Sequence, residues 1–298
     1  MKAFHTNWTK PFFIKHPNEE YHLEDFDILV TILSALKWRE KNGSIKLYTD
    51  KLGGEYYHKL GLEEIYDLGI DTSLDEIIPK SLDPELFWAG GKLYALKIER
   101  CPCIMLDMDF VVWDYLEELT GQDLCVSHRE KMHKRIYPDF NDFKVSAEYS
   151  FDETWDWKEY PCNTAIVYFG NQQFKDYYVK ESIRFMKMNS NISLNHRDRV
   201  KLMVFAEQRL LAMSAKKKGI NIYPFISNNH SKKKVERFTH IWGYKNRIYE
   251  SHLIRKGFCE SCINIIVNDF PDMYNTLNKI ECIKKYLKNI KYNQEVIF

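Results

Sequence analysis

Two aspartates sit two residues apart behind an apolar run: Ile104-Met105-Leu106, then Asp107-Met108-Asp109, then Phe110-Val111-Val112-Trp113. A short apolar run of this kind reads as a strand buried on both faces. On an extended backbone the two carboxylates point the same way. Like charges beside an apolar strand are costly unless something satisfies them. One answer is a hard divalent cation that also holds phosphate oxygens; the other is a solvated strand end with no ligand. A second group stands about 130 residues later, His240-Ile241-Trp242-Gly243-Tyr244-Lys245. His240 offers a further metal ligand and Lys245 a charge for a phosphate, with Gly243 allowing close backbone approach; taken singly, each also fits an ordinary surface residue. Lys92, next to Gly90-Gly91, has the same two readings, a phosphate contact or a solvated lysine.

The elements that must position these groups alternate. Ala3 to Thr6 reads as a strand, and a helical pattern from Leu23 stops at Asn42-Gly43. Ile45 to Thr49 is a strand ending at Asp50. Leu52 to Leu60 is a helix closed by Gly61, and Ile65 to Leu68 a third strand. Asp83-Pro84 opens a helix, with Gly90-Gly91 weakening its continuation. Tyr115 to Leu119 reads as helix, Leu124 to Ser127 and Cys162 to Phe169 as strands, and Gln173 to Met188 and Arg199 to Ala215 as helices. The irregular stretch from His128 to Lys158 is either surface loop or a binding loop over a cleft. The spacing after Arg247 predicts helices over Ile248–Lys256, Ser261–Asn268 and from Asp272 to about Lys288.

Alternating strands and helices imply an α/β fold with a mostly parallel sheet covered on both faces. Ligands of such sheets bind beyond the carboxyl ends of the strands, so the turns after Thr6, Thr49 and Leu106 should meet. The 43 Lys and Arg balance 42 Asp and Glu, which argues against a protein built for non-specific nucleic-acid binding. No window has the apolar length of a membrane span, and the N-terminal residues lack a secretory signal. Seven cysteines, an odd number, fit a reducing, cytoplasmic setting. The Cys259/Cys262 pair has no partner pair to complete a zinc site. Lys232-Lys233-Lys234 reads as a solvated loop. The mildly basic tail from Lys279 is either a solvated helix or a weak peripheral contact with an anionic membrane.

The ordered set resembles the GT-A-type glycosyltransferases, enzymes that use nucleotide-diphospho-sugars. The resemblance rests on the strand into Thr49-Asp50, the F-W-A-G-G-K segment Phe87 to Lys92, the Asp107-Met108-Asp109 strand end and His240-x-x-Gly243-x-Lys245. Asn163-Thr164-Ala165-Ile166 resembles an acceptor-side strand of that family, and Glu207-Gln208 its acidic-plus-glutamine pair. The likeness is nearest the retaining branch that includes glycogenin- and galactosyltransferase-like bacterial enzymes. It implies a Rossmann-related domain over residues 1–250, with residues 251–298 a helical extension packed on it. It also implies Mn²⁺ or Mg²⁺ on Asp107, Asp109 and His240, and a UDP-sugar as donor. Asp107 would also lie near the ribose, Lys92 and Lys245 would contact the diphosphate, and Thr6 and Asp50 would lie by the nucleotide. Asn163, Glu207 and Gln208 would face the donor sugar or a glycan, lipid-linked or protein acceptor.

Overall fold

The computed structural model describes residues 1–226 and 237–287, without the side chains of 196 and 197. The chain runs β1 (Ala3–Asn7), α1 (Lys10–Lys15), α2 (Asp25–Lys41), β2 (Ile45–Thr49), α3 (Lys51–Lys59), β3 (Ile70–Asp71) and α4 (Leu74–Ile77). Then come α5 (Gly90–Ile98), β4 (Cys103–Leu106), β5 (Phe110–Val112), β6 (Leu124–Arg129), β7 (Cys162–Phe169) and α6 (Gln172–Asn189). Helices α7 (His196–Val204) and α8 (Leu210–Lys218) flank a π-helical turn, Phe205–Arg209, and lead to β8 (Ile222–Pro224). After β9 (Phe238–His240) the described residues are mainly helical: α9 (Lys245–Glu250), α10 (His252–Asp269), α11 (Met273–Lys279) and α12 (Glu281–Leu287).

Seven strands form one sheet in the order β3-β2-β1-β4-β7-β6-β8, and β5 pairs with β9 in a two-stranded ribbon. The sheet is mixed but mostly parallel: only β7 runs against its neighbours β4 and β6. Helices cover both faces, as the alternation of elements predicts. Period-two alternation divides the core accordingly. Ile104 and Leu106 face one apolar layer with α2 and the C-terminal helices, while Cys103 and Met105 face the other with α5, α6 and α8. No described helix is long and apolar enough to cross a membrane.

Several local expectations shift. The third strand is not Ile65–Leu68: Glu63–Ile65 is a 3₁₀ turn and the strand is Ile70–Asp71. Gly69, at φ +79°, makes the intervening turn that only glycine enters cheaply. Asp83-Pro84 opens only a turn, and the helix starts at Gly90, the pair that seemed to oppose it. A Cβ on Gly91 would lie 3.0 Å from Trp8 Cβ and 3.1 Å from Thr6 Cγ2, so its absence lets α5 press against the end of β1. Around Tyr115 the helix shrinks to a 3₁₀ turn, Glu117–Leu119. Ile248–Lys256 is divided at Ser251, which accepts from Ile254 N and caps α10; α10 then runs unbroken through the expected start at Ser261. Cys259 and Cys262 are buried free thiols within it. The basic run Lys232-Lys233-Lys234 and the tail beyond Leu287 lie outside the described residues.

Two polar locks hold the layers. Buried Asp25, at the start of α2, accepts from Tyr286 Oη (2.6 Å) and Arg255 Nε (2.8 Å), which binds α10 and α12 to the sheet's helical cover. Buried His5 on β1 links Tyr66 Oη (3.2 Å) to Ser34 Oγ (3.1 Å), and Ser34 donates to the Phe110 carbonyl (2.6 Å). Because the Ser34 proton is spent on Phe110, Ser34 accepts from His5 Nε2–H. Burial keeps the imidazole neutral, which leaves Nδ1 to accept from Tyr66.

Burial lowers the His5 pKa from 6.5 to about 3, with Asp109 pulling weakly the other way. Below pH 6.5 the unfolded chain takes up a proton that the folded chain refuses, so this residue's contribution is present above that pH and is lost as pH falls. Urea unfolding should show the stability gap between wild type and His5→Asn narrowing by about 1.4 kcal/mol per pH unit below pH 6.5.

Candidate active site

The carboxyl end of β4 is where the two sheets part. Asp107 still belongs to the large sheet, its N–H donating to the Ala165 carbonyl of β7 (2.8 Å). The chain then turns, Phe110 N bonding back to the Asp107 carbonyl (3.0 Å), and enters β5. Register places Phe110 opposite His240 on β9, and Ile241 N donates to the Asp109 carbonyl (3.2 Å). Strand pairing, not sequence proximity, thus brings His240 to the aspartates. One ligand atom each from Asp107, Asp109 and His240 lies within 4.8 Å of the others, all three side chains partly buried. His240 Nε2 stands 3.5 Å from Asp109 Oδ1.

Two lysines bridge this cluster to further carboxylates. Lys245, opening α9, reaches Asp109 Oδ2 (3.0 Å) and Asp27 Oδ1 of α2 (2.9 Å). Lys92 of α5 reaches Asp107 Oδ1 (2.5 Å) and pairs with Glu207. Lys92 is therefore not a solvated lysine; its side chain is largely buried. Burial alone would lower both ammonium groups, but Asp107 and Glu207 hold Lys92, and Asp109 and Asp27 hold Lys245, above the ordinary lysine value. Burial pushes Asp107 up to about 6 against the pull of Lys92. At Asp109 burial acts the same way, but hydrogen bonding to His240 and the charge of Lys245 outweigh it, leaving the carboxyl well below the usual range.

Glu207 and Gln208 lie in the π-helical turn. Such a turn breaks the regular i→i−4 ladder, and π turns recur at functional sites. Here α6 supplies donors: Ser182 Oγ donates to the Ala206 carbonyl (2.9 Å) and Tyr178 Oη to that of Glu207 (2.7 Å). Tyr137 Oη donates to Gln208 Oε1 (2.5 Å). Arg209, buried beside them, donates to the Trp157 carbonyl (2.6 Å) and to that of Pro138, tying the irregular 128–158 stretch to this helix. Asn163 on β7 donates to Glu130 Oε1 (2.9 Å) and accepts from Ala165 N (3.1 Å).

These groups surround a cavity of about 800 Å³, within the range of small-molecule sites. Thr6, Lys92, Asp107, Asn163, Glu207 and His240 all line it, as does Gln208. Asp109 and Lys245 do not, and contact it through their neighbours. The Thr6 hydroxyl is buried without a hydrogen-bond partner among the described residues. Asp50 is placed differently from the expectation and does not line the cavity. It accepts from Thr9 N (2.9 Å), Thr9 Oγ1 (2.8 Å) and Gly53 N (2.9 Å), so it caps α3 and fastens the β1 turn to β2. That fastening does bring the turns after Thr6 and Thr49 together. Sequence reasoning did not single out Asp27, which pairs with Lys245, or His128 and Glu130, which line the cavity. The alternation of His128 and Glu130 beyond the apolar part of β6 was the available signal, masked by the irregular residues that follow.

Lys92→Met would leave Asp107 and Glu207 without their shared cation. The expected loss is about 3 kcal/mol in urea unfolding, the low end for breaking a buried pair because Asp107 keeps some solvent. Lys92→Met/Glu207→Gln should recover part of it.

Among curated proteins, none matches the chain. Among solved structures, it is similar to mouse xyloside xylosyltransferase 1 in its apo form, at 10% identity and a TM-score of 0.39, covering 79% of this chain and 92% of that one. It is also similar to the apo-form glycosyltransferase GlyE in Streptococcus pneumoniae TIGR4, at 12% identity and a TM-score of 0.34, covering 68% of this chain and 42% of that one. A third is the galactosyltransferase LgtC in complex with donor and acceptor sugar analogs, at 10% identity and a TM-score of 0.36, covering 80% and 82%. A family model matches residues 1–280, and the chain belongs to that family, described as the Family of unknown function (DUF6734).

Proposed function

We propose that this protein is a metal-dependent glycosyltransferase that moves a sugar from a nucleotide-diphosphate donor, a UDP-sugar, to an acceptor hydroxyl on a glycan, a lipid-linked oligosaccharide or a protein. The observation that carries this is the convergence of Asp107, Asp109 and His240 beside one large cavity. Two carboxylates and an imidazole suit Mn²⁺ or Mg²⁺ with phosphate oxygens completing the shell. The charge supports the same reading. Four carboxylates (Asp27, Asp107, Asp109 and Glu207) share two lysines, leaving two negative charges, the amount that one divalent ion balances.

A bound ion would supply positive charge to the diphosphate that departs when the sugar–phosphate bond breaks. Lys92, already held at the cavity wall, supplies a further positive charge to that group. Lys245 acts on the site through Asp109, keeping that carboxylate ionised and in place. Thr6, at the cavity wall beyond β1, serves the nucleotide end. Glu207, Gln208 and Asn163 face the sugar and acceptor end, with Glu207 fixed by Lys92 and Gln208 by Tyr137. Trp88 and Trp242 also line the cavity and limit water, which would otherwise hydrolyse the donor.

A panel of nucleotide-sugars with Mn²⁺, scored for nucleoside diphosphate release and for Mn²⁺ binding by calorimetry, tests this. Wild type should turn over one donor, and Asp109→Asn should lose both metal binding and turnover. Donor binding without turnover in wild type would instead identify a nucleotide-sugar-binding protein.

A further inference from the structure

Transfer to a hydroxyl requires somewhere for its proton to go, and Glu207 is poorly placed to take it. Its side chain is 7% exposed and its carboxylate is paired with Lys92. The same cavity holds another carboxylate with a different environment. Glu130 follows directly on β6, its N–H anchored to the Pro161 carbonyl (2.8 Å). Its side chain is 31% exposed and makes no ion pair with a lysine or arginine among the described residues; the adjacent Arg129 pairs instead with Glu159. Glu130 Oε1 takes both neighbours, Asn163 Nδ2 at 2.9 Å and His128 Nε2 at 3.3 Å. Oε2 has no hydrogen-bond partner among the described residues, in a side chain that lines the cavity.

The position fits the chemistry. Ala165 of β7 bonds to Asp107 N, and Asn163 lies two residues before it on the same face of the strand. Asn163, which holds Glu130, is thus displaced by about 7 Å along β7 from Ala165, the partner of Asp107. Glu130 itself stands on the far side of β7 from Asp107, opposite Pro161, and its carboxylate reaches back to Asn163, so Asn163 and Ala165 floor the part of the cavity between a diphosphate at Asp107 and a hydroxyl at Glu130. We infer that Glu130 is the base for the acceptor hydroxyl, oriented by Asn163 and His128, an assignment that rests on the transfer reaction proposed above. The hydroxyl oxygen bonds to the anomeric carbon of the donor sugar. The bond from that carbon to the phosphate oxygen breaks, its electron pair leaving on the diphosphate, and the hydroxyl proton passes to Glu130 Oε2.

Water is a hydroxyl donor that needs no knowledge of the natural acceptor. With Mn²⁺ and the UDP-sugar panel in the absence of any other acceptor, Glu130→Gln should release UDP with kcat lowered about 10²–10⁴-fold. Calorimetric affinity for UDP with Mn²⁺ should stay at the wild-type value, and Glu130→Asp should recover part of the rate. A Glu130→Gln protein as fast as wild type, or one that loses UDP affinity in step with rate, overturns the assignment and leaves the proposed function standing. A wild-type protein that neither binds UDP with Mn²⁺ nor turns over any donor overturns both.

Discussion

Everything around the cavity answers one electrostatic constraint: too many carboxylates in a poorly solvated place. Asp107 and Asp109 stand close enough to repel, and Asp27 and Glu207 add to the excess. The protein's answer is to make each buried ammonium serve two acids, Lys92 between a strand end and a helix, Lys245 between a ribbon and α2. Each lysine thereby cross-links elements far apart in the chain. Two negative charges are left over after this pairing, beside the cavity. A scaffold designed only for stability would replace such groups with apolar ones.

The members of the aspartate pair belong to different sheets. Asp107 closes β4 and is held by β7, whereas Asp109 opens β5 and is held through β9. The turn between them is a seam between two layers of hydrogen bonds. The neutral His5 chain reinforces it, running from Tyr66 through β1 and Ser34 to the backbone of Phe110. A polar chain in the core thereby ties the geometry of this turn to the stability of the layers around it.

Much of this architecture was legible in the residues. Apolar runs bounded by turn residues located β2 and β7 to the residue, and Asn42-Gly43 and Gly61 marked helix ends. The aspartate pair and the H-x-x-G-x-K segment were visible by type and spacing, and their meeting follows from β5–β9 pairing. Other features depend on tertiary context. Gly90-Gly91 looks like a helix breaker until β1 is seen pressing against it. Asp50 looks like a ligand group until Thr9 folds back over it. Glu130 lies next to a stretch without periodicity, and its partner Asn163 is 33 residues away across an antiparallel pair. No local pattern encodes that contact.

The π turn at Phe205–Arg209 carries a further consequence. A regular helix advances each residue by about 100° around its axis, so Met203 and Leu210, seven residues apart, already stand within about 20° of each other. Leu202 and Met203 before the turn and Leu210 and Leu211 after it are all buried in the same apolar layer. The wider turn takes up its extra residue locally, leaving both flanks packed while the Ala206 and Glu207 carbonyls accept from Ser182 and Tyr178. A helix that lends two backbone carbonyls to its neighbour is riveted at its middle as well as greased along its side.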